Sequence, residues 1–173
     1  MQKYTLYIII LIVSFSCNGN PKEHRVKHDL KNSNLNAKEK DLEKIASELY
    51  ANKEYAEAKT YYDELIAIDS TNGEYYFKRG FCKSMSLKDN KGAIADYLLA
   101  IKYNYRNKQS AYSNIAVLHR SFALFDSHTD QQRIAEYDTA IYFYNEALKI
   151  DPQNAKALTG KQEVQEYLKR LNQ

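Results

Sequence analysis

The chain carries four histidines and two cysteines, and the neighbours of each limit the chemistry it can do. His24 and His28 lie four apart, which would put two imidazoles on one helical face as a pair of metal ligands. A structural zinc needs four ligands and a catalytic one usually three. No further ligand cluster accompanies the pair, so both read as solvated side chains and no metal is assigned. His119 is expected to pack and His128, flanked by Asp126 and Asp130, to lie in solvent, rather than either to catalyse. No Gly-rich phosphate loop, Gly-x-Ser-x-Gly turn, His-Glu-x-x-His pair or spaced cysteine set occurs. The chain is therefore read as a non-enzyme, with no catalytic residue, cofactor or small-molecule substrate.

Cys17 is a different case. Lys3 gives a positive start, Leu6 to Val13 is an apolar run, and Ser14, Phe15 and Ser16 lead to the cysteine. The run is about half of the roughly 20 residues a helix needs to cross a bilayer, so a cleaved leader over 1–16 is expected. The segment resembles a bacterial lipoprotein signal, in which the cysteine is acylated and becomes the new N-terminus. Ser14 stands where leucine is usual, whereas Val13 and Ser16 fit the looser pattern. The resemblance implies lipid on Cys17 and a place on a membrane outside the cytoplasm, the outer membrane first, facing periplasm or surface. An ordinary signal peptide and an uncleaved buried helix are the alternatives. With Cys17 lipidated, Cys82 has no partner for an intramolecular disulfide and reads as a small buried apolar residue.

Residues 17–36 are expected to be a lipidated, flexible tether. Asn18 to Asn36 offers almost nothing apolar to bury and cannot offset the entropy of ordering. As a coil it would span roughly 25 Å.

The elements that would position any site lie after residue 36. At 173 residues, 44% hydrophobic and 27% charged, the chain suits one domain plus an extension. The net charge of +3 comes from interspersed acids and bases, so nucleic acid is not an expected partner. Glycine is rare, proline occurs only at Pro21 and Pro152, and Ala, Leu, Glu and Lys recur at helical spacing. This composition predicts an all-α fold. Sixteen tyrosines and no tryptophan carry no functional weight alone.

One pattern repeats three times: Ala58, Tyr62 and Leu65; Ala93, Tyr97 and Ala100; Ala140, Tyr144 and Ala147. Upstream of each lies a first helix, with Leu42, Ile45 and Ala46, then Tyr76 and Gly80, then Tyr112, Ile115 and Ala116. Small residues let helices approach closely, and the aromatic fills the gap to the next hairpin. The pattern resembles the tetratricopeptide repeat (TPR), a 34-residue helical hairpin. Residues 39–72 fit it closely, with Leu42, Ala46, Leu49, Ala58, Tyr62 and Leu65 in its packing positions. Tyr76 follows Leu42 by 34 residues, and Pro152 closes the last unit where the family has proline. Arg79, Lys83 and Tyr105 depart from the pattern, replacing an apolar residue, an aromatic and the proline.

The resemblance implies a right-handed superhelical stack over 37–172: hairpins at about 39–72, 73–108 and 109–154, with a capping helix over 155–171. Ala93 to Ala140 is 47 residues where Ala58 to Ala93 is 35, which places an insertion near 124–136. The insertion either lengthens the helices of its hairpin or forms an ordered loop, with Thr129 or Asp130 capping the next helix.

In this family the first helices line a concave groove. The corresponding residues are Glu43, Ser47 and Tyr50; Phe77, Phe81 and Ser84; Ser113, Val117 and Arg120. Phe77 and Phe81 would form an apolar shelf and Arg120 would supply charge. Glu43 and Ser47 stand where a well-known variant clamps a peptide carboxylate with Lys and Asn, so that clamp is not carried over. The expected function is a scaffold or adaptor at the cell envelope that binds a protein or peptide partner, in the manner of repeat lipoproteins assisting outer-membrane assembly, secretion or pilus formation. An unprocessed soluble adaptor and a small metal protein or enzyme are the alternatives.

Overall fold

In the computed structural model the described residues are 21–86, 88–125 and 127–171, with side chains from residue 33 onward. They form seven helices: α1 (Pro21–Ala51), α2 (Tyr55–Ile68), α3 (Gly73–Ser86), α4 (Asn90–Lys102), α5 (Lys108–Phe122), α6 (Asp130–Ile150) and α7 (Ala155–Leu171). No strand occurs among the described residues, and the fold is all-α, as expected. The chain divides into two units, Met1–Asn36 and Ala37–Gln173.

Residues 21–36 are helical, where a coil tether is expected. No proline or glycine interrupts α1 after Pro21. Residues 33–38 are all exposed, so at these positions the side chains are solvated on a helix rather than on a coil. Cys17 and the signal segment 1–16 lie outside the described residues, as do the side chains of His24 and His28. No described helix is long and apolar enough to cross a membrane.

In the second unit the turns between helices are set locally. Lys53 has φ 67° and Asn104 φ 56°. Just beyond them the amides of Glu54 and Tyr105 reach back to the carbonyls of Leu49 and Ala100, both at 2.9 Å, which is the Schellman closure of a helix end. This explains one departure: Tyr105 supplies an amide hydrogen that proline lacks. Its ring stacks on Phe77 at 4.4 Å. The helices α2 and α6 end in another shared way. The carboxylates of Asp69 and Asp151 accept from the amides of Thr71 (2.8 Å) and Gln153 (3.1 Å), turning the chain as Asx turns, with Pro152 in one turn and Ser70 in the other.

The repeated residues form the core. Ala46, Ala58, Leu65, Ala93, Ala100, Ile115, Ala116, Ala140 and Ala147 are fully buried, and Tyr62, Tyr97 and Tyr144 are at most 3% exposed. Each tyrosine sits in a cluster that reaches the next hairpin or the cap: Tyr62 with Tyr75 and Cys82, Tyr97 with Ala111 and Ile115, Tyr144 with Ala157 and Val164. Cys82 is buried, and burial pushes its thiol up to about 12. Ile45 departs from its expected core position and is 38% exposed. Gly73 marks a close approach: a Cβ there would lie 2.8 Å from the Tyr105 nitrogen and 2.9 Å from the Ala100 oxygen.

The two charged departures belong to one network. Asp96 of α4, 2% exposed, accepts from Arg79 Nε at 2.9 Å and Nη2 at 2.6 Å, and its other contact is Lys83 Nζ at 2.8 Å. Arg79 also reaches Asp63 of α2 at 2.9 Å, and Lys59 holds Asp63 at 2.6 Å. Desolvation acts to raise the Asp63 carboxyl, but the bonds from Lys59 and Arg79 prevail and hold it below its ordinary range. An apolar residue and an aromatic are thus replaced by a bonded ion cluster tying α2, α3 and α4 together.

The insertion goes mainly into α6. That helix has 21 residues against 14 in α2 and 13 in α4, whereas α5, with 15, is close to α3, with 14. Thr129 caps α6 in a capping box with Gln132, as one of the two expected caps.

Candidate functional site

The first helices of the hairpins, together with α7, enclose three adjoining cavities. The first, about 250 Å³, lies between α1 and α3 and is lined by Glu43, Ser47, Tyr62, Glu74, Tyr75 and Lys78. The second, about 260 Å³, has Tyr50, Phe77, Phe81, Ser113, Asn114 and Lys156 among its walls. The third, about 430 Å³, runs on past Phe81, Ser84, Asn114, Val117 and Lys156 to Met85 and Phe125. Phe81, Asn114 and Lys156 border both of the larger spaces. Lys78 Nζ, 4.2 Å above the Tyr50 ring, joins the first to the second.

Eight of the nine expected groove residues line these cavities. Glu43 and Ser47 are exposed, and Glu43 accepts from the hydroxyl of Tyr75, which also donates to Glu39 at 2.9 Å. Burial first, then these two bonds, raise the Tyr75 phenol above its ordinary value. Tyr50 and Phe81 are half-buried with ring centroids 5.4 Å apart, and Tyr55 stands 5.4 Å from Phe81. Ser84 turns its hydroxyl onto the Phe81 carbonyl at 2.9 Å. Val117 is half-buried.

Two residues differ from the expected shelf. Phe77 is only 9% exposed and is held between Tyr97 and Tyr105, so it is groove floor and core rather than an open surface. Ser113 is 1% exposed, and its hydroxyl has no hydrogen-bond partner. Arg120 is the ninth residue. It pairs with Glu163 of α7 and lines none of the three cavities, so the charge expected from it is spent on holding the cap.

One cation of the groove is Lys156, which the sequence pattern does not single out. Its ammonium donates to Asn114 Oδ1 across the α5–α7 gap at 2.7 Å. Desolvation, and then repulsion from Arg120, hold it below the ordinary lysine range. A signal was present, since Asn114 follows Ser113 and Lys156 is second in α7, but α7 is read there only as a cap. The groove is therefore graded in net charge: Glu39, Glu43 and Glu74 outnumber Lys78 toward α1 and α3, whereas Lys88 and Lys156 border the largest of the three cavities. Among the described residues no group of three or more His, Cys, Asp or Glu side chains is placed to hold a metal ion.

No protein-family model matches the chain, and no curated protein does so. Solved structures do. The TPR domain of Arabidopsis OM64 superposes with a TM-score of 0.63 at 20% identity, over 78% of this chain and 98% of that one. The first TPR of Spaghetti (RPAP3), bound to the HSP90 peptide SRMEEVD, gives 0.61 at 20% identity, over 76% and 94%. The Yersinia enterocolitica type III secretion chaperone SycD, in complex with a peptide of the translocator YopD, gives 0.55 at 14% identity, over 77% and 91%. At these identities the likeness concerns fold. The repeated small and aromatic residues, the hairpins they build and these superpositions together establish that the chain has the fold of a tetratricopeptide-repeat domain.

Proposed function

We propose that this chain is a protein-binding scaffold at a bacterial cell envelope, held there by lipid on Cys17, and that it seats an extended segment of a partner in the groove between α1, α3, α5 and α7. The observation that carries this reading is the run of adjoining cavities lined by eight residues expected from the repeat frame. Peptides bound to the Spaghetti and SycD domains support it by analogy of fold. The aromatic floor of Tyr50, Phe77 and Phe81 offers apolar area, and the Asn114 amide offers hydrogen bonds to a peptide backbone. The charge gradient favours a segment with basic residues at the α1 end and acidic residues at the α7 end.

Two experiments test the two halves. Affinity capture from native cells, with the full chain beside a Phe81→Ala and Asn114→Ala variant, is expected to lose its specific partner in the variant; an unchanged partner set contradicts the groove. Mass spectrometry of the native N-terminus is expected to find an acylated Cys17; a retained Met1 contradicts the anchor.

A further inference from the structure

The enlarged third hairpin builds a second space, lined by Lys91 and Ile94 of α4, His119 and Phe122 of α5, Phe125 and His128 of the connecting loop, and Glu136 of α6. Its volume is about 430 Å³, within the range of small-molecule sites. It draws on Phe125, His128 and Glu136, which come from the stretch that lengthens this unit beyond the other two.

Its walls are mostly rings. His119 stacks on Phe143 at 5.7 Å and meets Phe122 edge to face at 5.9 Å; Phe122 then contacts Phe125, and Phe125 contacts His128, each at 5.7 Å. The polar groups are unevenly matched. Among the described lining residues the one carboxylate, Glu136, is already engaged with His119 Nδ1 at 2.7 Å. His128, expected in solvent, is instead half-buried, and its Nδ1 is buried without a hydrogen-bond partner. Lys91 is exposed at the rim, with no ion-pair partner among the described contacts. A buried imidazole nitrogen without a bond is costly; with Nδ1 carrying its proton, it and the unpaired Lys91 at the mouth leave the surplus among the described lining residues on the donor side.

We infer that this cleft is a binding site for a small organic acid with an aromatic body, the ring lying among Phe122, Phe125 and Ile94 and the carboxylate between His128 Nδ1 and Lys91. The site is distinct from the groove, although Phe125 borders both spaces. Ring-on-ring contact supplies the apolar part, and charge-assisted bonds supply selectivity for the acid.

The test uses three probes on the full chain: 3-phenylpropanoate, its amide 3-phenylpropanamide, and propanoate. Binding is read from the imidazole proton signals in NMR, with His24 and His28 of α1 as internal references. The expected result is saturable shifts of His119 and His128 with phenylpropanoate, at least about tenfold weaker binding of the amide, the factor one charge-assisted bond is worth, and no saturation with propanoate. Lys91→Ala and His128→Ala, both checked for unchanged helicity, are expected to weaken phenylpropanoate about fivefold or more. Equal binding of acid and amide, shifts no larger at His119 and His128 than at the references, or an acid affinity untouched by both substitutions would each overturn the proposal.

Discussion

Replacing Asp96 by alanine is the sharpest perturbation of the fold that positions the groove. The carboxylate is 2% exposed and meets Arg79 through two hydrogen bonds and Lys83 through an ion pair at 2.8 Å. Without it, Lys83, whose side chain is 16% exposed, loses that pairing, and Arg79, at 17%, keeps only its bond to Asp63. Removing one partner from a buried ion pair costs about 3–5 kcal/mol, because the remaining charges stay desolvated. For a unit of this size about 1 kcal/mol moves Tm by roughly 4 °C, so the expected drop is roughly 12–20 °C. Urea unfolding followed by circular dichroism would give the free-energy loss directly, at an unchanged dependence on urea. A companion variant, Asp96→Ala with Arg79→Leu and Lys83→Leu, restores an apolar interior and is expected to recover most of the loss. A cost below about 1 kcal/mol for Asp96→Ala, within the range of a surface pair, or a triple variant no more stable than the single one, would refute the reasoning.

Further outcomes follow from other contacts. Gly73→Ala drives a Cβ against backbone atoms of the α4 end and is expected to cost about 1–3 kcal/mol in urea unfolding, as overpacking does. Thr129→Ala removes the capping box of α6 and is expected to cost about 1 kcal/mol, with faster amide exchange at the start of that helix. Cys82 is expected to resist alkylation in the folded protein and to react on unfolding, read by peptide mass spectrometry. Because burial raises its thiol from 9.0 to about 12 in the folded state, the associated stability is present below pH 9 and is lost as pH rises toward 12. Asp63 has the opposite sign: its carboxyl is held below the ordinary 3.8, so its contribution is present above that pH and fades as acid titrates the folded form. Asp63→Asn is expected to flatten that acid limb of stability.

Much of the architecture was legible because packing positions repeat. Ala58, Ala93 and Ala140 recur with Tyr62, Tyr97 and Tyr144 four residues on, and all six are buried. Helix ends were legible where one residue type forces the turn, as with Pro152 after α6. The ion cluster was not, since Arg79, Lys83 and Asp96 sit on different helices and each looks like an isolated exception until α3 and α4 are paired. The helical state of Pro21 to Asn36 was not legible for another reason: little apolar surface argues against a packed core but does not stop the backbone from continuing α1. In the groove, the family frame located Glu43, Ser47, Tyr50 and Phe81 but could not tell floor from surface at Phe77 and Ser113, because this depends on Tyr105 and on neighbouring helices. Lys156 and Arg120 exchange their expected parts for a similar reason. Arg120 is drawn to Glu163, and Lys156 reaches Asn114.

The central claim is that a partner segment lies in the groove. Its most direct test is site-specific photo-crosslinking in native cells, with the photoreactive residue placed in turn at Ser47, Ser84 and Asn114 in the groove and at Tyr142, 58% exposed on α6. The account predicts one discrete adduct shared by the three groove positions and absent from Tyr142. An adduct from Tyr142 with none from the groove would contradict it.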